Sequence, residues 1–482
     1  MRKRVSKIIH NKHIESWKDG QIVTIKAGTD SGKSHFIKNK LYAHARIKKK
    51  KILMFVNRKQ PVTQFRNEVF NEGKWDMSIQ TYQKLEHTIR NNEHFPFEKY
   101  DYIVCDEFHY FLEDDFNKWI DLSFNAIMHQ TDKVRIFMSA TGDSVTEYFK
   151  RLNHDIEEYE LEQEISSIKK LRFFYKEKSI EECMKEAIEN GHKSIFFIES
   201  AEKALQLHKQ FPVHTMFNCG QSSRKQYKHV DQDKVNEMLH KERFEDLILI
   251  TTTVMDTGVN IKDEEVKNIL IDVINSGKII QCLGRKRMTH KDDKANVYIK
   301  ARNKKSLASY RRKVKARIEK ANYFRRHGQE KYTEKYYRDQ DKNNIVYTDL
   351  DKDGNIIQKV HELVLFKNRL DYIEFKNMQS KGYCKYIADL LGKEYDYVEG
   401  VKEKDELTVY LDGITGQKLF KEEKKKLIDK VNLRDSRNRL QKSIKLLNTY
   451  FSENKIPYII IPKKSGNNRF WIIEGEIENG TS

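Results

Sequence analysis

The sequence predicts an α/β chain: two successive parallel-sheet modules of similar size, then a mixed α+β C-terminal region. Three observations carry this. Short apolar strands alternate with helix-length polar segments over the first three hundred residues. The alternation runs once and then restarts after a polar, acidic join near residues 153–168. Past about residue 302 the chain becomes strongly basic, with tyrosine and phenylalanine interleaved.

The first series of strands reads "IVTI" (22–25), "ILMFV" (52–56), "MSIQ" (77–80), "YIVC" (102–105) and "RIFMS" (135–139). Intervals long enough for crossover helices separate them, which implies parallel pairing. The second series reads "LRFFY" (171–175), "SIFFI" (194–198), "HTMF" (214–217), "LILIT" (247–251), "NILIDV" (268–273) and "NVYI" (296–299). Expected boundaries are therefore 1–155 and 156–302 for the two modules, 303–415 for a basic helical and hairpin region, and 416–482 for a terminal module.

Within the basic region, residues 304–338 read as a helix, and "YTDLDKDGNIIQ" reads as a hairpin turned at Asp353 and Gly354. From Ser436, the residues Leu440, Ile444, Leu447 and Phe451 fall on one helical face. "PYIII" and "RFWII" flank the turn "KKSGNN", so the end of the chain is expected to be winged-helix-like.

Composition narrows the class of function. The 482 residues carry a formal net charge of +19, with 38% hydrophobic and 34% charged side chains. Such an excess of positive charge suits an anionic partner, and without an amphipathic anchor a nucleic acid leads over a membrane surface. The longest apolar runs have strand length, far short of a bilayer span. The basic start "MRKRVSK" is followed by no apolar segment, which argues against a secretory signal. Five scattered cysteines with no CxxC pair argue against a disulfide framework, a zinc ribbon or an iron–sulfur cluster, and a reducing cytoplasmic interior is expected.

The chemistry begins at "AGTDSGKS", from Ala27 through Gly28, Thr29, Asp30, Ser31, Gly32 and Lys33 to Ser34. This is P-loop spacing with alanine for the first glycine. A strand feeds it and a helix follows. Backbone N–H groups and the helix N-terminus attract phosphate oxygens, Lys33 adds a mobile positive charge, and Ser34 can ligate Mg²⁺. Asp30 stands where glycine is usual, but aspartate tolerates left-handed backbone. Its carboxylate is expected to face solvent.

The second element is "YIVCDEFHY", a buried strand ending in Asp106 and Glu107 at the sheet edge where α/β folds bind ligands. Asp106 suits Mg²⁺, and Glu107 suits the orientation or deprotonation of an attacking water.

Together with "RIFMSAT", which supplies Ser139 and Thr141, these residues resemble superfamily 2 helicases of the DExH type, the DEAD/DEAH group that includes restriction-enzyme-III-like motors. The likeness continues in order. "FVNRKQPVTQF" with Arg58 and Gln64 is similar to motif Ia, "TYQ" from Thr81 to motif Ib, "TTVMDTGVN" with Thr252, Gly258 and Asn260 to motif V, and "QCLGRKRM" with Gln281, Gly284 and Arg285 to motif VI. It covers residues from about 10 to 302.

The resemblance implies two RecA-like domains that clamp ATP and Mg²⁺, with single-stranded DNA or RNA crossing both. It implies an arginine finger at Arg285, nucleotide sensing by His109 and Gln281, nucleotide contacts along the loop and at Gly258, and nucleic-acid contacts at Arg58, Thr81, Thr252, Ser139 and Thr141. The family's second arginine falls three residues after the first, where this chain has Met288. Arg287 is nearest, but a two-residue step turns about 200° around a helix rather than about 300°. Arg287 therefore serves only where the segment is irregular.

The implied activity is ATP-dependent translocation or unwinding. Two alternatives stay open: a nucleotide-dependent sensor or recruiter, and the motor subunit of a multi-chain defence system. A protein partner is expected at the C-terminal region. The basic helix over 304–338 either extends the nucleic-acid track or packs its aromatics on the second module. "DLDKDGN" starts like a calcium loop but ends on Val360, and "DYIEFK" lacks a suitably placed metal-binding aspartate. Neither is expected to bind metal.

Overall fold

The computed structural model describes residues 4–28, 31–57, 73–113, 119–161, 167–253, 260–290, 292–337, 345–350, 353–398, 406–435, 439–454, 456, 458–466 and 468–475. They form two compact units, Met1–Asp396 and Tyr397–Ser482.

The larger unit holds two lobes, each built on its own sheet. Lobe 1 is built on β1 (Ile22–Ala27), β2 (Ile52–Val56), β3 (Met77–Thr81), β4 (Tyr102–Asp106), β5 (Val134–Ser139) and β6 (Ile156–Leu161). They pair in the order β3-β2-β4-β5-β1-β6, every ladder parallel. The apolar runs make this possible, because β2, β4 and β5 are buried along their whole length. Helices α1 (Tyr42–Ile47), α2 (Tyr82–Arg90), α3 (Tyr110–Glu113), α4 (Ile120–Met128) and α5 (Asp143–Arg151) lie along the lobe.

Lobe 2 is a seven-stranded sheet of order β15-β7-β12-β11-β8-β10-β9. Its strands are β7 (Ile168–Phe174), β8 (Lys193–Ile198), β9 (Thr215–Asn218), β10 (Ile248–Thr251), β11 (Val266–Asp272), β12 (Ala295–Lys300) and the edge strand β15 (Tyr395–Tyr397). Helix α6 (Ser276–Leu283) follows β11 and starts at Asn275, whose side chain caps the Lys278 N–H at 2.9 Å.

The boundary between lobes differs from the expected one. Ile156–Leu161 was expected to open the second module, yet it pairs with β1 and closes the first sheet. Its glutamates disguise it, as charged side chains often mark edge strands. Glu160 pairs with Lys26 at 2.8 Å and Glu158 with Lys150 at 2.7 Å. The join therefore lies beyond Leu161.

The accessory region is α7 (Lys304–Tyr336), the hairpin β13 (Val346–Leu350) and β14 (Ile356–Val360), α8 (Glu362–Lys381) and α9 (Tyr383–Leu391). Gly354, with φ +81°, sits in the expected hairpin turn. The long basic helix breaks at Gly328, where φ is +76° and ψ −178°. Tyr332 and Tyr336 then fold back against Phe324 and Tyr323, with ring centroids 5.5 and 5.6 Å apart. Tyr310 stacks on Phe375 of α8 at 5.7 Å. Part of the aromatic content thus serves packing within the accessory region. Among the described residues, no helix is long and apolar enough to cross a membrane.

The smaller unit begins at Tyr397, earlier than the expected residue 416. It contains three helices, Glu406–Ile414, Lys421–Val431 and Ile444–Glu453, then the hairpin β16 (Tyr458–Ser465) and β17 (Asn468–Gly475). Thr415 and Leu419 bridge to Ile473 and Trp471 of β17, so the segment between the first two helices joins the hairpin. The unit is thus a mixed α+β module with its helices first and its hairpin last. The third helix is shorter than the apolar spacing suggested. It begins at Ile444, while Leu440 bridges to Arg434 and Ser436 lies outside the described residues. Leu447 and Phe451 are buried in the core with Leu411, Leu427 and Ile473.

Candidate active site between the lobes

The first face of the site is the turn between β1 and the helix opening at Lys33. Gly32 stands before that helix at φ +81°, a left-handed conformation that glycine adopts without a Cβ penalty. Ser31 turns its hydroxyl onto the Gly28 carbonyl at 2.6 Å. Lys33 is buried and donates from Nζ to the carbonyls of Ala27 at 2.6 Å and Gly28 at 3.2 Å. Burial pulls its proton affinity down, against the opposing pull of Glu107 and Asp106. Ser34 follows, partly exposed, on the same helix. Thr29 and Asp30 lie outside the described residues, and so does any account of where the Asp30 carboxylate points.

The second face is the end of β4. Asp106 is the last residue of the strand, and its Oδ1 accepts the Glu107 N–H at 3.1 Å. Glu107 then takes φ +49°, an uncommon conformation for a residue with a side chain. That reversal puts two adjacent carboxyl groups in one space. The Tyr82 hydroxyl donates to the Asp106 carbonyl at 2.9 Å and steadies the strand end. Burial, then the neighbouring Glu107, push the Asp106 carboxyl up to about 7. Burial pushes Glu107 the same way, but His109, Lys33 and Arg285 outweigh it and hold Glu107 down at about 2. Of the two carboxyl groups, Asp106 is thus the harder to ionise and Glu107 the easier.

His109 connects this face to β5. Its Nδ1 lies 3.2 Å from Glu107 Oε2 and 2.8 Å from Ser139 Oγ. Ser139, fully buried, also accepts the Thr141 N–H at 3.0 Å. Thr141 Oγ1 in turn accepts from Gln281 Nε2 of lobe 2 at 3.2 Å. A continuous polar chain thus runs from α6 across the cleft to Glu107. Phe108 fills the space beneath it: its N–H donates to the Met138 carbonyl at 3.2 Å, and its ring lies against Gly142.

The third face comes from the end of α6. The helix stops at Leu283, Gly284 and Arg285 make a turn, and Lys286 then forms a parallel bridge with Ile261. Arg285 offers its carbonyl to the Ile261 N–H, and the Arg287 N–H donates to the Ile261 carbonyl, both at 2.8 Å. In extended backbone, residues two apart point the same way. Arg285 and Arg287 consequently share one side, and the fields of both reach Lys33. Lys286 points away into a buried pair with Asp293. The irregularity that Arg287 needs is present. Arg287 Nε also donates to Asn260 Oδ1 at 2.7 Å.

Other expected contacts are dispersed. Thr81 uses its hydroxyl to cap α2, accepting from the Lys84 N–H at 3.0 Å. Thr252 is buried, with its N–H on the Asn218 carbonyl at 3.2 Å. Arg58, Gln64 and Gly258 lie outside the described residues. Sequence reasoning missed the role of Tyr82, although it sits inside the "TYQ" motif.

The sequence profile of the DEAD/DEAH box helicase family matches residues 39–148, a span containing Asp106, Glu107, His109, Ser139 and Thr141. That stretch is similar to a DEAD/DEAH box helicase domain and covers less than half of the chain. None of the curated proteins compared with the chain matches it. Among solved structures, the chain is similar to S. cerevisiae Dbp5 bound to RNA and ADP BeF3, at 15% identity and a TM-score of 0.42, over 58% of this chain and 78% of that one. It is also similar to the DEAD-box helicase Mss116 bound to ssRNA and UDP-BeF, at 15% identity and a TM-score of 0.46, over 63% and 71% of the two chains.

Proposed function

We propose that this protein couples ATP hydrolysis, at the cleft between the lobes, to movement along or unwinding of a single-stranded tract of DNA or RNA. ATP-dependent nucleic-acid helicase activity is the function the helicase domain supports. The observation that carries the site assignment is the convergence of Lys33, Glu107, Arg285 and Arg287, contributed by both lobes, on one space.

Each residue then has a task. Lys33 and the backbone of Gly28 to Ser34 bind the phosphates. Glu107, ionised and oriented by His109, holds the attacking water and accepts its proton. Arg285 and Arg287 stabilise charge that develops on the transferred phosphoryl group. The donor set of Ser34 and Asp106 fits Mg²⁺, which when bound neutralises phosphate charge. His109 is the fourth letter of the motif and carries the finer DExH grouping. Gln281 and Thr141 report across the cleft whether the site is filled, and Thr81 and Thr252 keep only the nucleic-acid role that the resemblance implies. Arg287, whose field reaches Lys33 together with that of Arg285, supports the motor over the sensor alternative.

The solved structures of Dbp5 and Mss116 hold RNA together with a nucleotide analogue, which suits a nucleic-acid partner here. The test is NTP hydrolysis with single-stranded DNA, single-stranded RNA and duplex, each at fixed salt because phosphate contacts are salt-sensitive. Lys33→Ala and Glu107→Gln abolish the stimulated turnover. Undiminished turnover in both refutes the site.

A further inference from the structure

Helix α8 belongs to the accessory region, yet its two halves are built into different lobes. In its first half, Leu363, Phe366 and Leu370 pack into the lobe 1 core with Phe111, Phe124, Tyr148 and Phe149. The Phe366 ring lies 5.0 Å from Tyr148 of α5, the helix that follows Thr141. The start of α8 is pinned to the same lobe. His361, which caps it, is buried beside Asp121 of α4, and the Tyr347 hydroxyl donates to Asp121 at 2.8 Å.

The second half docks on lobe 2 and its extension. Gln379 donates to the Lys304 carbonyl at 3.2 Å, and Phe375 stacks on Tyr310. Glu374 accepts from the hydroxyl of Ser276 and, at 3.4 Å, from that of Tyr386 on α9. Ser276 is the first residue of α6, the helix that carries Gln281 and delivers Arg285 and Arg287. A carboxyl group at that helix start also meets the positive end of the helix dipole. A helix of twenty residues spans about 30 Å, enough to reach from one lobe to the other.

We propose that α8 is a brace that holds the two lobes in their engaged arrangement before any ligand arrives, and that Glu374 is the positioning residue through which it sets α6. The proposal deepens the motor reading above and rests on it for the effect on turnover, but not for the effect on lobe spacing. Lobes joined only by the short segment after β6 are free to drift apart. Lobes also joined by α8 separate only if one half of it undocks. Burial pushes the Glu374 proton affinity up, so glutamine is a close stand-in for its acceptor oxygen.

The experiment uses the full chain with Lys84→Cys on lobe 1 and Lys209→Cys on lobe 2, both exposed positions, in a Cys183→Ser background. Dyes at the two sites report lobe spacing by energy transfer, without nucleotide or nucleic acid. The parent chain gives a single high-transfer population. Glu374→Ala and Ser276→Ala each add a low-transfer population, and the double variant adds no more than either alone. Glu374→Gln keeps the parental distribution. Nucleic-acid-stimulated kcat falls about tenfold in the alanine variants while the nucleotide KM is unchanged, and Glu374→Gln restores it.

Parental transfer in both alanine variants overturns the brace. So does a loss of transfer in Glu374→Gln equal to that in Glu374→Ala, since the acceptor oxygen is then irrelevant. Should Glu374→Ala lose its cooperative melting transition, Ser276→Ala removes the same contact from the other side. A parent chain that hydrolyses nothing but shows the expected spacings sinks the motor reading and leaves the brace standing.

Discussion

Gln281 on lobe 2 donates a hydrogen bond to Thr141 on lobe 1 at 3.2 Å, and Thr141 leads through Ser139 and His109 to Glu107. The residue proposed to hold the attacking water is thus four contacts from a helix on the opposite lobe. Thr141→Val deletes the acceptor and keeps the shape. Its expected effect is a loss of coupling between the lobes of about 0.5–1.5 kcal/mol, measured as the non-additive part of a double-mutant cycle with Gln281→Ala on stimulated turnover. Strict additivity would show that the contact transmits nothing.

The two arginines should behave as one unit. Arg285→Ala is expected to lower kcat by roughly 10³–10⁵ without changing nucleotide affinity to the same degree. Because Arg287 occupies the same side of an extended segment, Arg287→Ala should also cost activity, and the pair less than the product of the singles. A near-normal rate in Arg287→Ala would return the second position to surface duty.

Proton traffic follows from the carboxyl pair. Asp106 ordinarily titrates at 3.8 and is raised to about 7, so the folded chain holds a proton that the unfolded chain has released. By linkage, this group's contribution to stability falls as pH rises through that window. Glu107 is depressed from 4.5 to about 2, and its contribution is present above 4.5 and lost only as pH falls toward 2. A metal ion needs Asp106 ionised, so binding of Mg²⁺ with nucleotide below pH 7 releases a proton. Calorimetry at pH 6 in buffers of different ionisation enthalpy should detect it, and Asp106→Asn should abolish it.

Gly142 is required by its neighbour rather than by its backbone angles. A Cβ added there would stand 2.2 Å from Cζ of Phe108, which is fully buried. Gly142→Ala is expected to destabilise the chain by about 1–3 kcal/mol in denaturant unfolding. Adding Phe108→Leu should recover part of that loss. Wild-type stability in the single variant would mean that the ring moves freely.

The residues proposed for the phosphate site were legible because the proposed chemistry constrains both type and spacing: Lys33 after a glycine-rich turn, and Asp106 with Glu107 at a strand end. The parallel sheets were legible because their strands are apolar on both faces. What escaped is non-local. Ile156–Leu161 reads as an acidic linker until β1 pairs with it. The extended course of Arg285 to Arg287 depends on Ile261, more than twenty residues upstream, and "GRKRM" alone reads as a continuing helix. Glu374 stands within "DYIEFK", and nothing nearby in sequence reveals that Ser276 will meet it.

Lys33 rests on the carbonyl oxygens of Ala27 and Gly28. Those two backbone dipoles offset the charge of Lys33, so an anion that approaches it competes with them. A chloride or a lone carboxylate brings too little charge to win that competition, whereas a polyphosphate brings several oxygens at once. At the proposed phosphate site, discrimination against small anions would thus begin with the main chain of the turn.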